Sequence, residues 1–132
     1  MPPKTSNTLT EAELRLMKIL WARGESTVAD LVTATNEEVQ LAYTSVLTTI
    51  RVLEKKGYVV HRQEGRAFLY SPRVAERDAS RSEIRNVLHR FFGGSRERLL
   101  LSLLGDSEIT TKELKAVKEA IANAPEDSRK KR

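Results

Sequence analysis

Cysteine is absent from this chain of 132 residues, and the absence removes several chemistries together. Disulfides, thiolate metal sites and cysteine nucleophiles are all excluded. Histidine is nearly as scarce. Only His61 and His89 are present, and neither has a carboxylate or second imidazole at ligand spacing, so no metal site is expected. The two are read as a strand residue and a polar helix position. No apolar run approaches the roughly 20 residues that span a bilayer, and the opening MPPKTSNT lacks the apolar segment of a signal peptide. A cytoplasmic protein without membrane insertion is expected. Nothing resembles a P-loop, a nucleophile elbow or a paired-acid site, so neither enzymatic activity nor a cofactor is expected.

What the chain does have is charge. Lysine and arginine exceed the acids by 23 to 18, a net charge of +5 with a pI near 9.7. The excess is local. Residues 1 to 41 carry four cations against six acids, a balance of −2, whereas residues 42 to 73 carry six against two, a balance of +4. A polyanionic partner would meet the second stretch first.

That stretch contains LAYTSVLTTIRVLEKKGYVVHRQEGRAFLY, residues 41 to 70. Tyr43, Val46, Leu47, Ile50 and Leu53 recur at helical spacing and predict a buried face. Thr44, Ser45, Thr48, Arg51 and Lys55 recur on the opposite side. Short hydroxyl side chains let a helix backbone approach a groove floor, and Arg51 can donate to guanine or grip a phosphate. Val52, on or near this face, offers apolar contact. Gly57 stops the helix, and Tyr58 to Gln63 and Ala67 to Tyr70 read as strands around a Glu64-Gly65-Arg66 turn. Arg62 and Arg66 flank that turn, as in a wing laid along a nucleic-acid backbone.

Upstream, residues 1 to 8 read as a loose arm. Thr10 with Glu13 forms a capping box, and Leu9 against Leu14 forms a hydrophobic staple. They open a first helix with Leu14, Met17, Leu20 and Trp21 as its apolar stripe, ended by Gly24. Trp21 reads as a core anchor. Thr27 with Asp30 opens a short second helix that turns Leu31 and Val32 inward and fades near Asn36, and residues 36 to 40 form a polar turn. Ala42 is a poor cap for the helix that follows. Helix, helix, turn, helix, hairpin is the order of a winged helix-turn-helix domain, assigned to residues 9 to 73.

Downstream, Ser71-Pro72 is expected to close the hairpin. A helix from about Val74 to Phe92 carries Ile84, Val87, Leu88 and Phe91 on one stripe. After Gly93-Gly94, Ser95 caps a leucine-rich helix, and Thr110 with Glu113 opens a last helix containing Leu114, Val117 and Ile121. Three helices over residues 74 to 124 cannot easily enclose a core alone, so this segment is expected to pair with a second copy of the chain. Residues 125 to 132 read as a disordered tail. The fold class is therefore mainly α with a small β-hairpin: a winged helix-turn-helix DNA-binding domain plus a C-terminal helical dimerisation domain.

LTEAELRLMKILWARGESTVADLV, LAYTSVLTTIRVLEKKGYVVHRQEGRAFLYSP and RFFGGSRERLLLSLL together resemble the penicillinase repressor family, which includes the methicillin-resistance and copper-transport repressors. The resemblance covers residues 9 to 122. It implies a homodimeric repressor that sits on a palindromic operator of double-stranded DNA until a signal relieves it. By position it implies base and phosphate contacts at Thr44, Ser45, Thr48 and Arg51, and a dimer built on Ile84, Val87, Leu88, Phe91, Leu99, Leu103 and Leu114. In β-lactam-responsive members, a membrane sensor-protease triggers cleavage of an Asn-Phe bond in the leucine-rich helix. The aligned pair here is Ser102-Leu103, which departs from that motif, so a signalling protease acting here would recognise a different pair. Copper-responsive members use a C-terminal cysteine cluster that this chain lacks. The competing reading is a winged-helix protein-interaction module, whose mark would be an apolar patch on the outer face of the third helix.

Overall fold

A computed structural model describes residues 8 to 105 and 109 to 124. Its first helix, α1 (Glu11–Arg23), starts at the expected capping box: the Glu13 amide donates to Thr10 Oγ1 at 3.2 Å, and the Thr10 amide donates to the Glu13 carboxylate at 3.0 Å. Met17 and Leu20 face inward as expected, joined by Leu16, which the expected stripe did not include. Leu14 and Trp21 are only half-buried, because the helix is turned toward Leu16. The Trp21 indole N–H donates to the Val74 carbonyl at 2.9 Å, so its polar edge is satisfied inside the fold.

Helix α2 (Val28–Thr35) opens on Thr27 and Asp30, again with both halves of the box formed. It ends at Asn36, whose Oδ1 accepts from the Leu41 amide at 2.9 Å and fastens the turn into the next helix. Helix α3 (Tyr43–Lys56) starts at Ala42 without a side-chain cap and stops at Gly57, which adopts a φ of 92°. In that left-handed conformation a side chain is strained, so glycine suits the stop.

Strands β1 (Val59–Glu64) and β2 (Ala67–Pro72) pair antiparallel, with Gly65 and Arg66 as the connection. Ser71 and Pro72 do not close the hairpin, as the sequence suggested, but extend it opposite Val60 and Val59. Proline is tolerated there because it stands at a strand end. Ser26 adds a bridge on the far side of β2, exchanging backbone hydrogen bonds with Tyr70 at 2.9 and 2.8 Å. The α1–α2 loop is thereby tied to the wing. Leu16, Met17, Leu20, Leu31, Val46, Ile50, Leu53, Val59 and Tyr70 form one buried core shared by all three helices and the hairpin. This is a winged helix-turn-helix.

Three further helices follow: α4 (Glu76–Phe92), α5 (Arg96–Leu104) and α6 (Thr111–Ala122). Gly93 and Gly94, at φ values of 57° and 85°, separate α4 from α5, and the Ser95 hydroxyl accepts from the Arg98 amide. Thr110 and Glu113 form the third capping box. The chain divides into two compact units, Met1–Val87 and Leu88–Arg132, with the division inside α4. Ala79, in the first turns of α4, is buried in the winged core, and Glu83 accepts from the Leu9 amide at 2.8 Å. The expected arm of residues 1 to 8 lies outside the described residues except for Thr8. The expected tail, residues 125 to 132, lies outside them entirely.

Candidate nucleic-acid interface

The core decides which side of α3 faces outward. With Val46, Ile50 and Leu53 buried, Thr44, Ser45, Thr48, Arg51 and Lys55 all lie exposed on the opposite side. Thr49 is not part of this set, since its hydroxyl donates to the Ser45 carbonyl at 3.0 Å. Tyr43 corrects the sequence reading. It was expected in the core, but in the first turn of α3 it stands 52% exposed, beyond the edge of the packed layer. Val52 is exposed as expected and adds apolar area.

The register of the hairpin sorts its side chains. Val59, His61 and Gln63 share one face with their partners Pro72, Tyr70 and Phe68, while Val60, Arg62 and Glu64 lie on the other. On the first face the His61 ring lies 4.7 Å from Phe68 and 5.3 Å from Tyr70, and its Nδ1 is 2.6 Å from Glu54 Oε2. His61 thus braces the wing against α3, a larger role than the plain strand position expected of it.

Arg62, on the second face, is engaged within the chain. Its Nε and Nη2 donate to Glu25 at 2.7 and 2.9 Å, a two-pronged pair that occupies the edge of the guanidinium a phosphate would use, and Glu64 lies 3.7 Å away. The Arg62 hydrogen bonds hold the Glu25 carboxyl below its ordinary value, and Glu25 in turn raises Arg62. Arg62 fastens the wing to the α1–α2 loop. Lys56 is likewise engaged: its Nζ lies 2.7 Å from Glu13 Oε1 and also reaches the Thr8 carbonyl at 3.4 Å.

Arg66 and Arg51 differ from these two. They line one cleft of about 540 Å³ between α3 and the wing, together with Tyr43, Phe68 and Tyr70, and no carboxylate among the described residues lines it. Burial pushes the Tyr70 phenol up, more than the Arg51 charge draws it down. The hydroxyl therefore stays neutral, able to donate.

In the second unit the expected dimer residues separate. Phe91 and Leu103 are more than half exposed, and Leu99 and Leu114 are half-buried. Leu88 departs from expectation, because at 5% exposure its own chain already covers it. Ile84 and Val87, on the α4 segment assigned to the first unit, are exposed. Ser102 and Leu103 lie exposed within α5. The sequence reading missed Tyr43 and Phe68 as exposed aromatics of the cleft and Glu25 as the partner of Arg62. The alternation of β1 and β2 was a usable signal for Phe68. Nothing local marked Glu25.

Among the described residues no group of His, Asp and Glu could hold a metal ion, and no helix is long and apolar enough to cross a membrane. The chain is 26% identical over 106 residues to the penicillinase repressor of Bacillus licheniformis, covering 80% of this chain and 83% of that protein. It is 20% identical over 113 residues to the penicillinase repressor of Staphylococcus aureus, covering 86% and 90%. Among solved structures, the Bacillus licheniformis BlaI monomer in complex with the blaP half-operator is similar at 27% identity and a TM-score of 0.48, over 59% of this chain and 90% of that one. The pattern of the penicillinase repressor family matches residues 9 to 123, and the chain belongs to that family.

Proposed function

We propose that this chain is a transcriptional repressor that binds operator DNA as a homodimer, with α3 in the major groove and the wing beside it. The observation that carries this reading is the exposed hydroxyl and cationic face of α3 next to a cleft holding two arginines and no acid. Family membership and the +4 balance of residues 42 to 73 support it. The chain acts by binding rather than by catalysis. Thr44, Ser45 and Thr48 face the bases, and Lys55 adds phosphate attraction. A titration of duplex DNA at several salt concentrations tests the reading, since a DNA-binding protein loses affinity steeply as salt rises. Binding that ignores salt and sequence would refute it and favour the protein-interaction module, for which the exposed Tyr43 and Val52 are the supporting observation.

Pairing is supported by the helices after the winged unit. No residue of α5 or α6 is buried, and Phe91, Leu100, Leu101, Leu103, Leu104 and Ile121 present apolar surface that one chain leaves open. A second copy would cover it, and the operator would then be palindromic, with half-sites spaced by about one helical turn or a multiple of it. Losing that pairing lowers the effective concentration of the second recognition helix and releases the operator. Proteolysis is one such route. The Ser102-Leu103 bond is exposed, but a protease needs it extended, so α5 must unwind locally before a cut. Phe91→Asp should yield monomers in sedimentation at micromolar concentration, and a persistent dimer would place the interface elsewhere.

A further inference from the structure

Charge separates three clefts of the winged unit. One, between α1 and the end of α2, includes Glu11, Glu37 and Glu38 among its walls, and another, between α1 and α4, includes Glu76 and Glu83. The third, between α3 and the wing, has Arg51 and Arg66 and no acid. Of the three, this one suits a polyanion. Unlike Arg62 and Lys56, neither of its arginines has a carboxylate partner among the described residues.

Building on the DNA-binding reading, we infer that this cleft clamps the DNA backbone itself: Arg51 and Arg66 each hold a phosphate of the strand dividing the two grooves, and Phe68 packs on a deoxyribose between them. A duplex with a helix in its major groove and a wing at the adjacent minor groove must pass one sugar-phosphate strand between them. The cleft lies between those two elements, with Thr27, Val28 and Ala29 at the start of α2 as its third wall. Its walls match the strand's chemistry, with two guanidiniums for the phosphodiesters and a ring 42% exposed for the sugar carbons. Tyr43 adds a phenol at the rim. Arg51 is thereby assigned to phosphate rather than to guanine, and sequence reading falls to Thr44, Ser45 and Thr48.

The test measures affinity against salt for the full-length protein, on a random-sequence duplex and on a duplex recovered by genome-wide selection. Arg51→Ala and Arg66→Ala should each lower the slope of log affinity against log salt by about 0.9, on both duplexes alike. Arg51→Lys should restore the slope, because a phosphate requires charge rather than a fork. Phe68→Ala should weaken both complexes without changing the slope. If Arg51→Ala and Arg51→Lys instead abolished the preference for the recovered duplex and left the slope intact, Arg51 would read a base and the clamp would be wrong. Unchanged affinity and slope in both alanine variants would also overturn it. Failure of the DNA-binding reading is distinct, since the unsubstituted protein would then show no salt-dependent binding. Both arginines are exposed, so thermal unfolding should not move and serves as the control for folding.

Discussion

Replacing Lys56 with methionine tests how α3 is anchored. The Glu13 side chain is 7% exposed and that of Lys56 19%, with 2.7 Å between Nζ and Oε1. At an effective dielectric of 20 the attraction at that distance is about 6 kcal/mol. Desolvation of the two groups offsets much of it. The cost of Lys56→Met is therefore set by what is left behind, a buried carboxylate holding one amide bond from Thr10. Removing one partner of a fully buried pair costs about 3–5 kcal/mol. Because Lys56 is one-fifth exposed and water can reach the vacated position, about 2–3 kcal/mol is the better figure here. Methionine keeps most of the lysine stem, so lost packing adds little. In urea the midpoint of the winged unit should fall with its m-value unchanged, and its melting temperature should drop by roughly 10–20 °C. Adding Glu13→Gln should recover most of the loss, because the glutamine side chain still accepts from Thr10 and no buried charge remains. A loss below about 0.5 kcal/mol for Lys56→Met, or a double variant as unstable as the sum of the singles, would refute this account.

Glu25 gives a pH dependence of definite sign. Its folded-state value lies below the ordinary 4.5, so its contribution is complete above 4.5 and is lost as pH falls through the folded-state value. Glu25→Gln should therefore melt below the parent near neutral pH, and the two melting curves should converge on acidification; a gap that persisted in acid would assign the effect to something other than ionisation. Leu20→Ala removes a fully buried side chain from the centre of the winged core and should cost about 2–5 kcal/mol in denaturant unfolding. A cost near that of a surface substitution would mean the core can collapse around the gap. Gly57→Ala forces a side chain into a backbone with φ of 92° and should destabilise by about 1 kcal/mol, measured by the same method.

Legibility from the sequence followed the range of the interactions. The capping boxes at Thr10, Thr27 and Thr110 were readable because each is closed by a residue on the first turn of its own helix. The outer face of α3 was readable from its period. Tyr43 was misplaced for the same reason, since period assigns a direction but not the edge of the core. The partners of Arg62 and Lys56 lie 37 and 43 residues away and follow from the return of the chain, which no local pattern encodes. Composition consequently overstated the positive field of residues 42 to 73, where two of the counted cations, Lys56 at the end of α3 and Arg62 in the wing, are already paired with acids. The Ser26 bridge escaped notice because a single paired residue has no alternation to reveal it.

Glu13 has two partners at very different separations along the chain: the Thr10 amide three residues away and the Lys56 ammonium 43 residues away. The first can form as soon as α1 nucleates, whereas the second requires a long loop to close. The two contacts therefore belong to different stages of folding. Disturbing the cap from the Thr10 side should slow folding, and removing Lys56 should chiefly speed unfolding. One carboxylate would thus act on both arms of a chevron, helping α1 to start and later keeping α3 from leaving.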